Sequence, residues 1–189
     1  MKFALLTLLA ILSGFSEIQH EGKWIIHSNS QLLIHGRTNV NSFTCLISCY
    51  NNVDTLAYSY DEAEKAMVFT KNRMEIPVYN FDCGNPMITK DFRLTTKAAQ
   101  HPYLQIAFLS LDKVNKGSIN GKLEISLAGI TRHVSVTFIH QPVGDFLQLR
   151  GNHSVCFTDF GMQAPARMMG LVRVQEDLNV EFNLLIKPI

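Results

Sequence analysis

Charge is scarce in this chain and neither sign dominates: 17% of its 189 residues are charged, 17 Lys and Arg against 16 Asp and Glu. A near-neutral chain offers no basic field to a nucleic acid, and no run of five or more like charges forms an electrostatic tail. Nucleic acid is set aside as a partner. Six Pro and eleven Gly are too few for a collagen-like or low-complexity chain, and 47% hydrophobic residues are too many for one that stays unfolded. The longest apolar run, Phe3 to Leu12, is only half the roughly 20 residues a membrane-spanning helix needs. Metal-site spacings are missing as well: there is no Cys-x-x-Cys, no His-x-His, and the seven His are scattered, so no metal site is expected. No internal repeat, linker or shift of composition divides the chain.

What is present begins with Lys2, the apolar run, and then Ser13, Gly14 and Ser16, the order of a secretory signal peptide. Residues 1–16 are read as that leader and 17–189 as one mature domain, exported to the periplasm or secreted. Phe15 stands where a lipoprotein would need Cys, so no acyl anchor is expected. In an oxidising compartment Cys45, Cys49, Cys83 and Cys156 are free to pair, and four cysteines allow three complete pairings among which spacing does not decide. Cys45 and Cys49, four apart in an alternating stretch, would lie about 13 Å apart on a regular strand, beyond disulfide reach. Cys83 occupies a loop, Asp82-Cys83-Gly84-Asn85-Pro86, whose position needs fixing. It is expected to be bonded, with Cys45 the preferred partner.

The rest of the chain reads as short strands with one wet face. Leu123, Ile125 and Leu127 alternate with Lys122, Glu124 and Ser126; Val134, Val136 and Phe138 alternate with Ser135 and Thr137. Residues 129–133 between them are short enough for a hairpin turn. Leu178, Val180, Phe182, Leu184 and Ile186 repeat the pattern at the C-terminus. Residues 23–27, 31–35, 42–50, 65–78, 104–111 and 146–158 are further strands, about nine in all. Residues 86–99 lack glycine and alternation and stop before His101-Pro102, which predicts a helical crossover. Residues 161–170, rich in Met, Ala and Pro, read as a loop or a short turn of helix. Strands of this kind must bury their apolar side in a sandwich or a barrel, and their length favours a tall barrel. The expected fold is all-β: a single antiparallel barrel of about eight strands, from about Lys23 to Ile186.

Several segments, in this order and spacing, resemble one family. They are Trp24-Ile25-Ile26, the stretch Leu32 to Phe43, Met87-Ile88-Thr89-Lys90-Asp91-Phe92, His101 to Phe108, Gly121 to Arg132, and Phe157-Thr158-Asp159-Phe160-Gly161-Met162. The family is the YceI-like proteins, exported bacterial domains with an extended lipocalin-like barrel. Ser42-Phe43-Thr44-Cys45 and Phe81-Asp82-Cys83-Gly84-Asn85 resemble its Bacteroidetes branch. The resemblance implies a long isoprenoid lipid, such as a polyprenyl chain or a quinone tail, inside the barrel.

The inward positions expected to line such a cavity are Phe43, Ile125, Leu127, Val136, Phe138, Leu149, Val180 and Phe182. A packed core would use the same residues, and alternation alone favours that reading. Arg132 and His133, placed in the hairpin turn, are the candidate contacts for a polar head group. Asp91 and Arg93 flank Phe92 and are expected to close one end structurally. Asp159-Phe160-Gly161 has none of the other parts of a kinase site. Cys156 or Cys83 with a histidine base would make an enzyme, yet no catalytic signature accompanies them, and no catalytic residue or cofactor is expected beyond a bound lipid. An envelope interaction module with a solid barrel is the other alternative.

Overall fold

The computed structural model describes residues 21–189 except 48–49, 51–53, 71–72 and 116, so the expected leader and Cys49 lie outside the described residues. In chain order the strands are β1 (Glu21–Ile26), β2 (Gln31–Arg37), β3 (Ser42–Ile47), β4 (Thr55–Asp61), β5 (Ala66–Phe69) and β6 (Arg73–Pro77). A helix α1 (Pro86–Thr95) follows, then β7 (Tyr103–Asn115), β8 (Ser118–Leu127), β9 (Ile130–Val143) and β10 (Phe146–Cys156). A two-residue pair, β11 (Ala166–Arg167) and β12 (Val172–Arg173), precedes the last strand, β13 (Asp177–Pro188).

Eight of these close a ring, β1-β4-β5-β7-β8-β9-β10-β13 and back to β1, every pairing antiparallel. Period-two alternation gives each strand one apolar face to bury, and closing the ring buries all of them on the inside. On β13, Leu178, Phe182, Leu184 and Ile186 are buried, Val180 is half-buried, and Asn179 and Lys187 face water.

Three of the eight staves are broken at mid-height. β13 pairs with β1 at residues 186–188 and with β2 at 179–183, so β1 and β2 are two halves of one stave. In the same way β7 carries β5 at residues 110–112 and β6 at 103–107, while β3 lies on β2 and β4 on β1. The barrel therefore has two halves. In one, β4 and β5 are hydrogen-bonded and the wall is continuous. In the other, β3 and β6 are not paired among the described residues. Their seam is bridged instead by the segment before α1. Leu46 N–H donates to the Asp82 carbonyl at 2.9 Å and Asp82 N–H to the Leu46 carbonyl at 3.1 Å, and next to them a disulfide joins Cys45 to Cys83.

The first half is solid. Trp24, Tyr58, Phe69, Phe108, Phe138 and Phe182 form a chain of ring contacts, with centroids 5.4–6.2 Å apart. Aromatic pairs at such spacings add to the 1.5–3 kcal/mol or so that burying each side chain contributes. Phe138, fully buried, fits because two strand neighbours are glycine. A Cβ on Gly121 would lie 2.7 Å from its ring, and one on Gly151 would lie 2.8 Å from the ring and 3.0 Å from the Thr137 carbonyl oxygen. Backbone cannot move aside as a side chain can. Gly151→Ala is expected to destabilise the fold by about 1–3 kcal/mol, read as a lower urea midpoint with an unchanged slope.

Three sequence expectations need adjusting. The β8–β9 hairpin turns on Ala128 and Gly129 alone, both at positive φ (53° and 83°), the type I′ geometry that matches strand twist in two-residue turns. Arg132 and His133 therefore stand on β9 rather than in a turn. Strand β4 was not foreseen. The helix ends at Thr95 rather than 99: Lys97 adopts φ 53° and Ala98 N–H bonds back to the Arg93 carbonyl, which terminates the helix in a left-handed cap. Its start is set by Asn85, whose side chain accepts from Met87 and Ile88 N–H, with Pro86 following as the first helical residue.

Candidate functional site

The second half of the barrel encloses a cavity of about 560 Å³. Its floor is the aromatic layer, represented by Phe182. Its walls are Leu32 and Ile34 of β2, Leu104 and Ile106 of β7, Ile125 and Leu127 of β8, Val155 of β10, and Leu178 and Val180 of β13. The helix α1 presents Met87, Ile88 and Phe92 to it, with Asp91 and Thr95 toward the mouth. Phe157, Phe160 and Met162 close the side where β10 leaves β9, for these two strands pair only over residues 146–151 and 138–143. The opening lies between α1, the turn 38–41 and the β11–β12 hairpin, where Val40, Met87 and Met168 both line the space and stand in water.

Each wall is held locally. Cys83 N–H donates to Thr89 Oγ1 at 3.1 Å, and that hydroxyl in turn donates to the Asn85 carbonyl, so the disulfide, the helix cap and the first turn of α1 form one unit. Phe92 packs on Phe81 with ring centroids 5.1 Å apart. The triplet Asp159-Phe160-Gly161 is a capping turn: the Asp159 carboxylate accepts Cys156 N–H at 3.2 Å and Gly161 takes φ 58°. Its phenylalanine is cavity wall.

Polar groups gather at the mouth. Arg167 of the hairpin reaches Asp91 of α1 through two nitrogens, Nε at 2.9 Å from Oδ2 and Nη2 on Oδ1, and this bidentate bond holds the guanidinium still more firmly protonated. Thr38 Oγ1 donates to Asn41, fixing the turn that forms the opposite lip. Arg93, beside Asp91 in sequence, turns away to the Tyr79 carbonyl and stacks over the Tyr79 ring.

Of the eight residues expected to line a cavity, Phe43, Ile125, Leu127, Val180 and Phe182 do so. Val136, Phe138 and Leu149 are at most 1% exposed and pack within the solid half. Arg132 and His133 are exposed and do not reach the cavity, and His133 bonds Glu124 on the outer wall at 3.2 Å. The cation that lines the mouth is Arg167, which sequence reasoning missed; it lies 76 residues from its partner Asp91, in a stretch read as a loop or a short turn of helix. Cys45 and Cys83 are buried and joined, while Cys156 Sγ lies 3.1 Å from the Thr158 hydroxyl with no histidine bonded to it among the described contacts. Among the described residues no group of three or more His, Cys, Asp or Glu side chains is placed to hold a metal ion, and no helix is long and apolar enough to cross a membrane.

No protein-family model and no curated protein sequence matches the chain. Solved structures do. BcnA of Burkholderia cenocepacia is 16% identical, with a TM-score of 0.64 over 82% of this chain and 95% of that one. The YceI protein of Campylobacter jejuni is 13% identical, with a TM-score of 0.54 over 72% of this chain and 81% of that one, and one of its cysteine variants aligns at 14% identity and 0.55. At TM-scores of 0.54–0.64 over 72–82% of its length, the chain has the fold of the YceI-like barrels.

Proposed function

We propose that this protein binds a linear apolar molecule, a polyisoprenoid, quinone tail or fatty chain, in the open half of its barrel as carrier, store or sensor. The observation that carries the reading is the cavity of about 560 Å³ with an almost wholly apolar wall. Sites for small ligands typically measure 300–1,000 Å³, are mainly apolar, and set a few polar groups at one end, whereas close-packed interiors leave few voids larger than a water. Each methylene withdrawn from water contributes about 0.8 kcal/mol, so a chain of modest length binds without any directed contact. The polar end of the ligand lies at the mouth, beside Asp91 and Arg167 rather than Arg132 and His133. The aromatic floor makes the site a deep pocket, so the chain enters and leaves by the mouth between α1, the turn 38–41 and the β11–β12 hairpin.

Export belongs to the same reading, supported by the leader-like residues 1–16 and by a buried disulfide of the kind that persists in oxidising compartments. The experiment is mass spectrometry of an organic extract of protein purified from its own compartment. A stoichiometric isoprenoid or fatty species is expected. Empty protein that also fails to take up such chains after delipidation would overturn the proposal in favour of an interaction module.

A further inference from the structure

The rim of the cavity turns apolar side chains outward as well as inward. Val40, Met87 and Met168, which line the opening, are 67%, 60% and 72% exposed. Met169 and Leu171 beside them project further, at 106% and 74%. Asn39 ties the two lips together: its amide donates to the Leu171 carbonyl at 2.8 Å and its Oδ1 accepts Arg173 N–H at 3.0 Å. Met168 and Met169 both sit at φ 54°, a backbone conformation disfavoured for any residue with a Cβ. The fold thus accepts an unfavourable turn that leaves two methionines in water.

Charge on the three segments that frame the opening is one-sided in a chain that is balanced as a whole, the exposed carboxylates Glu176 and Asp177 following those segments in the chain. Lys90, Arg167 and Arg173 are exposed on the segments around the opening and Arg37 ends β2 beside the turn 38–41, Arg93 being turned to Tyr79. The carboxylate on those segments, Asp91, is engaged by Arg167.

We infer that this rim docks on the surface of an anionic phospholipid bilayer, with Met169 and Leu171 entering the acyl boundary while the surrounding cations meet lipid phosphates. Flexible aliphatic side chains inside a basic ring are the composition of interfacial insertion. The occupant is argued from charge: Lys90, Arg167 and Arg173 surround the exposed Met169 and Leu171, and anionic lipid phosphates are the complement of such a surface. The inference rests on the binding proposed above: a water-insoluble chain that passes through one opening needs a bilayer against that opening as its source or destination.

The test is co-sedimentation of the mature protein with vesicles of equal parts phosphatidylethanolamine and phosphatidylglycerol, beside vesicles of phosphatidylcholine alone. The protein is expected on the anionic vesicles, with the bound fraction falling as salt is raised and on phosphatidylcholine. Met169→Gly with Leu171→Glu should reduce binding about tenfold or more; glycine suits the left-handed position, and both side chains are exposed, so the fold is kept. Ile139→Glu, at a site 63% exposed on the outer wall, should bind as the unaltered protein does. Failure of the unaltered protein to bind anionic vesicles, or equal binding by the rim variant, overturns the inference. Organic extraction of the same preparation reads the cavity separately. Vesicle binding by a protein that takes up no chain leaves the docking in place and removes the ligand, and a chain-loaded protein that ignores vesicles does the reverse.

Discussion

Ile125→Trp is expected to abolish uptake of a linear apolar chain while leaving the barrel folded. Ile125 lies on β8 opposite Ile106 of β7, buried, with its side chain on the cavity wall. A larger ring there extends into empty space rather than into neighbours, so the strain that extra bulk imposes on a close-packed core does not arise. The ring does occupy the path of the ligand. Denying burial to even four methylenes removes about 3 kcal/mol, more than a hundredfold in Kd. The control is Val136→Trp on the adjacent strand. Val136 is 1% exposed, stands opposite Gly121, and belongs to the solid half. There the same change is expected to destabilise by about 1–3 kcal/mol or more. Thermal unfolding and native mass spectrometry with an added fatty or isoprenoid chain read both variants. If Ile125→Trp is as destabilised as Val136→Trp, or still takes up the chain at full affinity, the pocket proposed here is wrong.

Removing the disulfide by Cys45→Ala with Cys83→Ala should cost about 2–4 kcal/mol, a large share of the 5–15 kcal/mol typical of a domain. The bond closes a separation of 38 residues, and most of its effect in the chain-entropy account comes from restricting the unfolded chain. A second effect is local. Cys83 is tied through Thr89 and Asn85 to the first turn of α1, so the variant should also expose that helix to protease before the whole barrel unfolds. Denatured protein prepared without reductant should show no more than two free thiols of its four cysteines, and four would refute the bond outright.

Much of this fold was legible in the sequence because alternation is a direct record of which face a strand buries. Residues 178–186 announced β13, and the loss of alternation from Pro86 announced the crossover. Strand β4 escaped because its inward residues after Leu56 are Tyr58 and Tyr60, half-buried rings that do not read as an apolar face. The division into solid and hollow halves escaped for a deeper reason. Alternation says that Val136, Phe138 and Ile125 point inward; it does not say what stands at the same height across the barrel. The readable clue was glycine inside strands, since Gly121 and Gly151 mark the level at which Phe138 fills the interior. The mouth was beyond reach, because Asp91 and Arg167 belong to segments that meet only once the ring has closed.

The broken staves divide the molecule in cohesion as well as in contents. Backbone amides of the half holding Trp24, Phe69 and Phe138 lie in a wall whose neighbouring strands are all paired, with two register breaks between β7 and β8, over a dense aromatic filling. Those of β3 and β6 border a seam that, among the described residues, is carried by one pair of backbone bonds and one disulfide, beside the cavity. Hydrogen exchange should therefore proceed in two tiers, slow at the closed end and faster around the seam, as independent opening units rather than one. The barrel can then breathe at the end that holds the cavity while the other end stays locked, and the free energy of opening the pocket is uncoupled from that of unfolding the protein.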